Sequence, residues 1–376
     1  LTSFVKVHDF TERMIHLPKC NLRCVYCYNR KERAQFEEKT LSFDIAKAGI
    51  DYFFSINNSR HIRFYGPGEP TQAFSLLCQI ANYAKQKAGS LLKTEIQTNG
   101  VFGKKVLEWM LDNMNIMWIS FDGTPEIQNA NRPLPGGRAS SPIIENNIRW
   151  LNTNKGKRNL MVGARVTITD KNVTQQKEIV DYFYSLGIKH IWTDPLFPTV
   201  DMIPVFQDEE KRNHKSLDLN TYVDNYIESY KYAKQFGVFY GSFLACNFDG
   251  VTNRHCRSCT PVPHLTPDGY ISACDMVTFG ENAHHMGCFV YGKWNSNSGN
   301  FDFDQQKIYA LQNRSIENMT HCSKCRARFQ CGGYCLGEIV NETGNLLGQK
   351  PSTCEAIRRL FDELGPSTIP YDYFHP

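Results

Sequence analysis

The spacing that most constrains this chain is Cys20-Asn21-Leu22-Arg23-Cys24-Val25-Tyr26-Cys27, which follows the short apolar run Met14-Ile15-His16-Leu17. A structural zinc site takes four protein ligands, often as two C-x-x-C knuckles. Here the spacing is C-x3-C-x2-C and no fourth cysteine lies close by. Three thiolates can hold three irons of a [4Fe–4S] cube and leave the fourth iron open to an outside ligand. A zinc knuckle, or a redox pair made by Cys24 and Cys27, is the competing reading of these residues.

The rest of the sequence decides what surrounds that centre. At 376 residues the chain has room for about two domains and a large core. Charged residues make up 21% and the net charge is +4, with lysines and arginines scattered, so neither nucleic acid nor a membrane is expected as a partner. No apolar run reaches the roughly 18 residues that a spanning helix needs. The chain begins at Leu1 rather than Met, so a segment upstream of it is expected. Fourteen cysteines in clustered spacings indicate metal and a reducing, cytoplasmic compartment rather than a disulfide framework.

Between residue 12 and about 195 short apolar runs alternate with helical periods. Buried parallel strands are expected at 13–17, 61–65, 93–98, 116–121, 160–168 and 188–193. Ser42 is a cap for the helix carrying Ile45, Ala48 and Tyr52; Ser141-Pro142 is an N-cap and N1 pair for the helix through Trp150; Asn172 or Thr174 opens a helix that Gly187 closes. Six β/α units in series favour a parallel sheet curling into a partial (β/α)6 barrel of the TIM type, an α/β fold whose ligands sit at the carboxyl ends of the strands. Gly66-Pro67-Gly68-Glu69-Pro70 falls at such an end, where glycines admit a ligand close to the backbone and Glu69 can accept a hydrogen bond from an ammonium group. Thr98-Asn99-Gly100 and Ser120-Phe121-Asp122-Gly123 close the next two strands and read by themselves as turns. Arg165 is a charge inside a buried run and needs a partner, either a carboxylate of the chain or one on a ligand. His16 reads as a core histidine.

Taken together, these motifs resemble radical S-adenosylmethionine (SAM) enzymes. The resemblance implies that SAM chelates the open iron held by Cys20, Cys24 and Cys27, that Tyr26 lies against SAM, and that one electron cleaves SAM to a 5′-deoxyadenosyl radical. It matches Gly66, Gly68 and Glu69 to the motif that meets the SAM amino group, although Pro67 removes one N–H donor from it. It also assigns Asn99, Ser120 and Asp122 to the ribose and carboxylate of SAM, with the SAM carboxylate as one of the two partners open to Arg165.

Residues 201–255 are read as a bridging helical region, with a helix at 220–236 whose Tyr222, Tyr226, Tyr230 and Tyr232 pack rather than react. Cys78, Cys246 and Cys288 read as buried free thiols, and His284-His285 as surface. From residue 256 the cysteines return as Cys256-x2-Cys259, Cys274, Cys322-x2-Cys325-x5-Cys331-x3-Cys335 and Cys354. Eight thiols suffice for two four-thiolate clusters or two zinc ions. Their order, with Gly269 between Cys259 and Cys274, resembles the SPASM extension of radical SAM enzymes that modify peptides and proteins. That pattern implies one auxiliary cluster on Cys256, Cys259, Cys274 and Cys335 and a second on Cys322, Cys325, Cys331 and Cys354. Cys256 departs from the position of the first cysteine in some members, and without it the first auxiliary cluster would keep an open iron. Asp275, next to Cys274, is a candidate general base resembling the catalytic aspartate of anaerobic sulfatase-maturing enzymes; a solvated or capping aspartate is the plainer reading.

The expected organisation is a radical SAM barrel over 1–200, the bridge over 201–255 and a SPASM domain over 256–376. The expected cofactors are SAM and three [4Fe–4S] clusters, served by an electron donor such as flavodoxin or ferredoxin. The function implied is maturation of a ribosomally made precursor peptide by a thioether or carbon–carbon crosslink. The rivals are formylglycine formation from Cys or Ser, and an electron-carrying iron–sulfur protein without catalysis. No appended leader-binding domain is evident, so the barrel mouth, the cysteine-rich domain or a separate partner is expected to recognise the precursor.

Overall fold

The computed structural model describes residues 11–14, 19–27, 40–197, 217–245 and 247–365. His16 and Cys246 lie outside the described residues. The chain forms two units: Arg60–Gly241 with the described residues of Met14–Phe43, and Asp44–Ser59 with the described residues of Ser242–Pro376 and of the chain's first residues. Among the described residues no helix is long and apolar enough to cross a membrane.

Chain order opens with strand β1 (Thr11–Met14), followed by β2 (His61–Phe64), β3 (Lys93–Thr98), β4 (Ile116–Ser120), β5 (Met161–Ile168), β6 (His190–Pro195) and β7 (Phe239–Gly241). From β2 to β7 each strand pairs in parallel with the next, giving a six-stranded parallel sheet in sequence order. Parallel neighbours need crossovers, supplied by helices that include Phe74–Ala88, Lys104–Asn113, Ser141–Asn154, Gln176–Ser185 and Leu219–Gln235. Every residue of β2 and β4 is buried, as a sheet covered on both faces requires. This is the α/β sheet expected from the alternating pattern. It ends on β7, whose three residues (Phe-Tyr-Gly) gave too short a run to be read as a strand.

Some local signals act where expected, but helix starts shift: Gln175, not Asn172 or Thr174, is the N-cap of the helix Gln176–Ser185, and Asn172 precedes a 3-10 turn, Val173–Gln175, without a cap bond. Gly187 (φ 78°) closes the helix Gln176–Ser185, its N–H donating to Tyr184 O at 2.9 Å while Ile188 N–H returns to Phe183 O at 2.9 Å. The helix predicted from Ser141 begins at Ser141 itself and takes Ser140 as its N-cap. The Ser140 hydroxyl makes no cap bond and donates to Arg132 O at 2.7 Å. Tyr222 and Tyr226 are buried and donate to Thr193 O and Tyr240 O at 3.2 and 3.0 Å, a packing role.

In the other unit β8 (His264–Leu265), β9 (Tyr270–Ser272), β10 (Val290–Asn295) and β11 (Asn300–Phe303) run antiparallel in order, and β1 adds to β8 in parallel. The helix Phe43–Ile56 contributes Tyr52, which stacks on Phe303 with centroids 4.6 Å apart. Three helices follow the cysteine loops: Arg328–Cys331, Leu336–Thr343 and Pro351–Leu364. His284 and His285 are exposed, and Cys78 and Cys288 are half-buried rather than buried.

A buried charged group lies across β2 and β3 of the parallel sheet. His61 and Arg63 on β2 meet Glu95 on β3 at 3.2 and 2.9 Å, with all three side chains at most 7% exposed. Removing one member of a buried pair strands the other charge. Glu95→Ala is therefore expected to lower unfolding stability by roughly 3–5 kcal/mol, read by denaturant titration of the iron-free chain. A change within about 0.5 kcal/mol, the size usual for a surface substitution, would show the cluster to be incidental.

Candidate active site

The parallel sheet places three sequence segments at one edge. The loop before Glu69 begins this arrangement: Glu69 N–H donates to Lys19 O at 2.9 Å, joining the end of β2 to the residue that precedes Cys20. The Glu69 carboxylate is 2% exposed and crowded with donors. Oε1 accepts from Thr71 N, Thr71 Oγ1 and Thr98 Oγ1 at 3.1, 2.8 and 2.7 Å, and Oε2 accepts from Asn99 N at 2.7 Å. Burial pushes the carboxyl up, against the pull of those bonds. Oε2, with one donor, keeps a lone pair for a further N–H. Gly66 and Gly68 lie partly buried in the same loop.

Asn99 carries the arrangement to the thiols. Its Nδ2 donates to Asn21 Oδ1 at 2.7 Å and approaches Cys20 Sγ at 3.7 Å, while Oδ1 accepts from Val101 N at 2.9 Å. Leu22 N–H also points at Cys20 Sγ, 3.4 Å away. Burial pushes the Cys24 thiol up to about 11, Arg132 pulls it down, and Cys27 and Cys20 stand near enough to raise it further. The three thiols thus share one locality. Thiolates so placed repel each other unless a cation joins them, and three of them can hold three irons of a [4Fe–4S] cube.

The other edge of the cysteine loop is tied down by Asp122, which has no solvent exposure. Tyr26 Oη donates to Asp122 Oδ2 at 2.5 Å, Asn131 Nδ2 donates to the same oxygen at 3.2 Å, and Thr167 N donates to Oδ1 at 3.1 Å. Arg132 Nη1 donates to Tyr26 Oη at 2.7 Å and stands 3.9 Å from Asp122 Oδ1. Burial opposes the Arg132 charge, but Cys24, Tyr26 and Asp122 hold it firmly protonated. The backbone follows suit: Arg23 N–H bonds Pro133 O and Val25 N–H bonds Asn131 O, at 2.8 and 2.9 Å.

Asp122 therefore acts first as the anchor of the Tyr26 loop. Ser120 is 8% exposed at the end of β4, opposite Arg165 in the ladder. Arg165 finds a carboxylate of the chain: Nη2 is 3.7 Å from Asp194 Oδ2, its guanidinium lies 5.2 Å from the Trp192 ring, and Trp192 Nε1 donates to the same oxygen at 2.7 Å. Sequence reasoning missed Asn21, Thr98, Asn131, Arg132 and Gln128, whose Oε1 accepts from Asp122 N at 2.9 Å. The signal was available in Gln128-Asn129-Ala130-Asn131-Arg132, an amide-rich run where a covering helix should carry an apolar stripe.

The eight later thiols sort into two groups within their own unit. Cys259 hydrogen-bonds Cys256, holding Cys256 low and Cys259 high; Cys274 feels Cys335 and Cys256, and Cys335 feels Cys256. Gly337 supplies the clearance, since a Cβ there would stand 2.8 Å from Cys274 Sγ. The second group lines one pocket, walled by Cys322, Cys325, Cys331 and Cys354 with Tyr334 and Arg358. Burial pushes Cys322 up to about 11 and Cys331 up to about 12, and the charges of neighbouring thiols add to both shifts. Among the described residues no three His, Cys, Asp or Glu side chains gather as they would about a single metal ion. Asp275 is half-buried, and its charge reaches Cys274 and Cys335.

Fold and site together describe a three-thiol centre at the edge of a parallel α/β sheet. The Radical SAM superfamily model matches residues 14–219, more than half of the chain. The chain belongs to the radical SAM superfamily, whose members use a [4Fe–4S] cluster and SAM. Over 370 residues it is 22% identical to the serine-type anaerobic sulfatase-maturating enzyme of Klebsiella aerogenes, covering 87% of this chain and 79% of that one. Native anSMEcpe with bound AdoMet superposes with a TM-score of 0.73 at 16% identity, over 97% of this chain and 99% of that one; the same protein is known with the Cp18Cys peptide. SuiB of Streptococcus suis bound to its precursor peptide SuiA gives 0.64 at 15% identity, over 93% and 76%. At these identities the two structures establish the fold.

Asp122→Ala removes the acceptor shared by Tyr26, Asn131 and the Thr167 amide. The expected result is a chain that, after anaerobic reconstitution, holds about four fewer irons than the parent, one cube's worth. Unchanged iron content would mean that the loop keeps its shape without this anchor.

Proposed function

We propose that this chain is a radical SAM maturase that oxidises a residue of a ribosomally made precursor peptide and closes a thioether or carbon–carbon crosslink. The observation that carries the reading is the sorting of eight thiols into Cys256, Cys259, Cys274 and Cys335 on one side and Cys322, Cys325, Cys331 and Cys354 on the other. Two such sets suit two auxiliary [4Fe–4S] clusters, and a crosslink needs a site that accepts an electron. Peptide as substrate is supported by the relatives, since anSMEcpe and SuiB are both described with peptides bound.

When bound, the cluster and SAM held by Cys20, Cys24 and Cys27 would supply hydrogen-atom abstraction from the peptide, and an auxiliary cluster would supply a one-electron acceptor. The chain's own residues do the rest. Cys20, Cys24 and Cys27 hold the first cluster. Gly66, Gly68, Glu69, Asn99, Ser120, Asp122, Tyr26 and Arg165 form the surroundings offered to SAM, Glu69 through its remaining lone pair and Asp122 by fixing Tyr26. As the carbon radical joins the acceptor sulfur or carbon, the proton lost from that acceptor passes to Asp275. Electrons enter from a donor such as flavodoxin or ferredoxin, in a reducing cytoplasmic setting.

The second reading is formylglycine formation from Cys or Ser. It is favoured by the near full-length match to a sulfatase-maturating enzyme and by the place of Asp275 beside Cys274. The two readings separate in one experiment. Anaerobic chain, SAM, reductant and a peptide panel are analysed by mass spectrometry with and without a hydrazide probe. Loss of two hydrogens without hydrazide capture supports a crosslink; capture supports the aldehyde; absence of 5′-deoxyadenosine sinks both. Asp275→Asn is expected to cut peptide oxidation by about 100-fold or more while 5′-deoxyadenosine still forms. Equal losses of both products would remove Asp275 from the role of base.

A further inference from the structure

Arg314 has no solvent exposure. A guanidinium so buried is costly unless its donors and its charge are both met. Three main-chain carbonyls meet the donors: Nε bonds Leu346 O at 3.2 Å, Nη1 bonds Gly332 O at 3.2 Å and Nη2 bonds Gly333 O at 2.5 Å. A further N–H reaches the Cys259 sulfur. Carbonyls accept hydrogen bonds but bring no net negative charge. Among the described residues no carboxylate is paired with Arg314. The thiols it faces are Cys259 of one set and Cys322 and Cys331 of the other.

The two carbonyls in its fork belong to the turn Cys331-Gly332-Gly333-Tyr334-Cys335. Three successive residues of that turn have positive φ, at 60°, 89° and 64°. Glycine is required at the first, where a Cβ would stand 2.5 Å from the Arg254 carbonyl carbon. Tyr334 adopts the left-handed form at a cost that its buried hydrogen bond to Glu338 helps offset. The turn hands Cys331 to one thiol set and Cys335 to the other, and Arg314 grips it between them.

We propose that Arg314 is a positioning residue shared by both C-terminal thiol sets, its fork fixing the turn that delivers a ligand to each and its charge raising the reduction potential of the iron–sulfur group each would hold. This rests on reading both sets as cluster ligands. A fixed positive charge and an N–H···S bond both favour the more negative, reduced form of a cluster. The set containing Cys259 receives both effects and the other set the charge alone, so the first gains more.

Arg314→Met removes charge and fork, whereas Arg314→Lys keeps the charge. Iron and sulfide are counted in the full chain after anaerobic reconstitution, and each cluster's midpoint potential is read by EPR-monitored titration without SAM or peptide. In R314M the potential of the cluster on the Cys259 set is expected to fall by about 59 mV, a tenfold change in a one-electron equilibrium. The second falls less, and the SAM-binding cluster stays put. R314K is expected to keep the parent potentials but hold less C-terminal iron. If R314M takes up no C-terminal iron, R314Q replaces it in the same comparison. Parent potentials in a fully loaded R314M or R314Q, or an R314K that falls as far as either, would overturn the proposal. A parent chain that reconstitutes with a single cluster would instead overturn the reading beneath it.

Discussion

The buried carboxylate of Asp122 is the constraint on which the candidate active site depends. It has no exposure, yet it accepts from a tyrosine hydroxyl, a side-chain amide and a backbone amide and stands beside a guanidinium. An unpaired carboxylate there would cost several kcal/mol, so its burial depends on all these donors arriving together. They come from three places: Tyr26 from the cysteine loop, Asn131 and Arg132 from the crossover after β4, and Thr167 from β5. Satisfying one charge therefore fixes the loop that carries Cys24 and Cys27 against the sheet. Glu69 repeats the device on the other side, joining Thr71, Thr98 and Asn99 and, through its own amide, Lys19 beside Cys20. Two buried acids hold the two ends of one thiol loop.

The thiols themselves work against the fold until something binds them. Burial pushes Cys24, Cys322 and Cys331 well above the range of an exposed cysteine, so at neutral pH the metal-free chain holds them protonated. Metal binding needs thiolate, releases those protons and adds its free energy to that of folding. The cysteine-rich unit has only short strands and helices of modest length around these groups. Two of its cations, half-buried Lys350 and buried Arg314, fit the same logic. Lys350 is taken up by Glu338 and Glu342, carboxylates of the chain, whereas Arg314 has carbonyls and thiols.

The parallel sheet was legible because segments of strand length recur between helical periods, and the expected segments at 93–98 and 116–121 coincide with β3 and β4 almost residue for residue. β7 was not legible, because three residues carry no period. Nor was the grouping of Asp44–Ser59 with the C-terminal half, since an amphipathic helix does not say which neighbour its apolar face covers. Spacing made the cysteines readable, and their sorting into sets came from the resemblance. The sequence left Arg165 two partners, and the fold supplies Asp194 from the adjacent strand. Asp122 and Glu69 were noticed as motif members, but their anchoring roles rest on donors scattered over the chain, such as Asn21 and Arg132, which no local pattern marks.

Interleaving of the later cysteines has a mechanical consequence. Cys335 ends the same turn that Cys331 begins, yet the two side chains serve different sets. His255, next to Cys256, lies with Nδ1 2.9 Å from Cys331 O, and since a carbonyl can only accept, that nitrogen carries the proton. A displacement of the turn by one set would thus pull at a ligand of the other and at the hydrogen bond between them. Separate sets on separate loops would adjust independently; sets that share one turn, held at Gly332 O and Gly333 O by the buried Arg314 fork, cannot. On the proposed reading, in which each set holds a cluster, the arrangement favours loading and retention of both as one event.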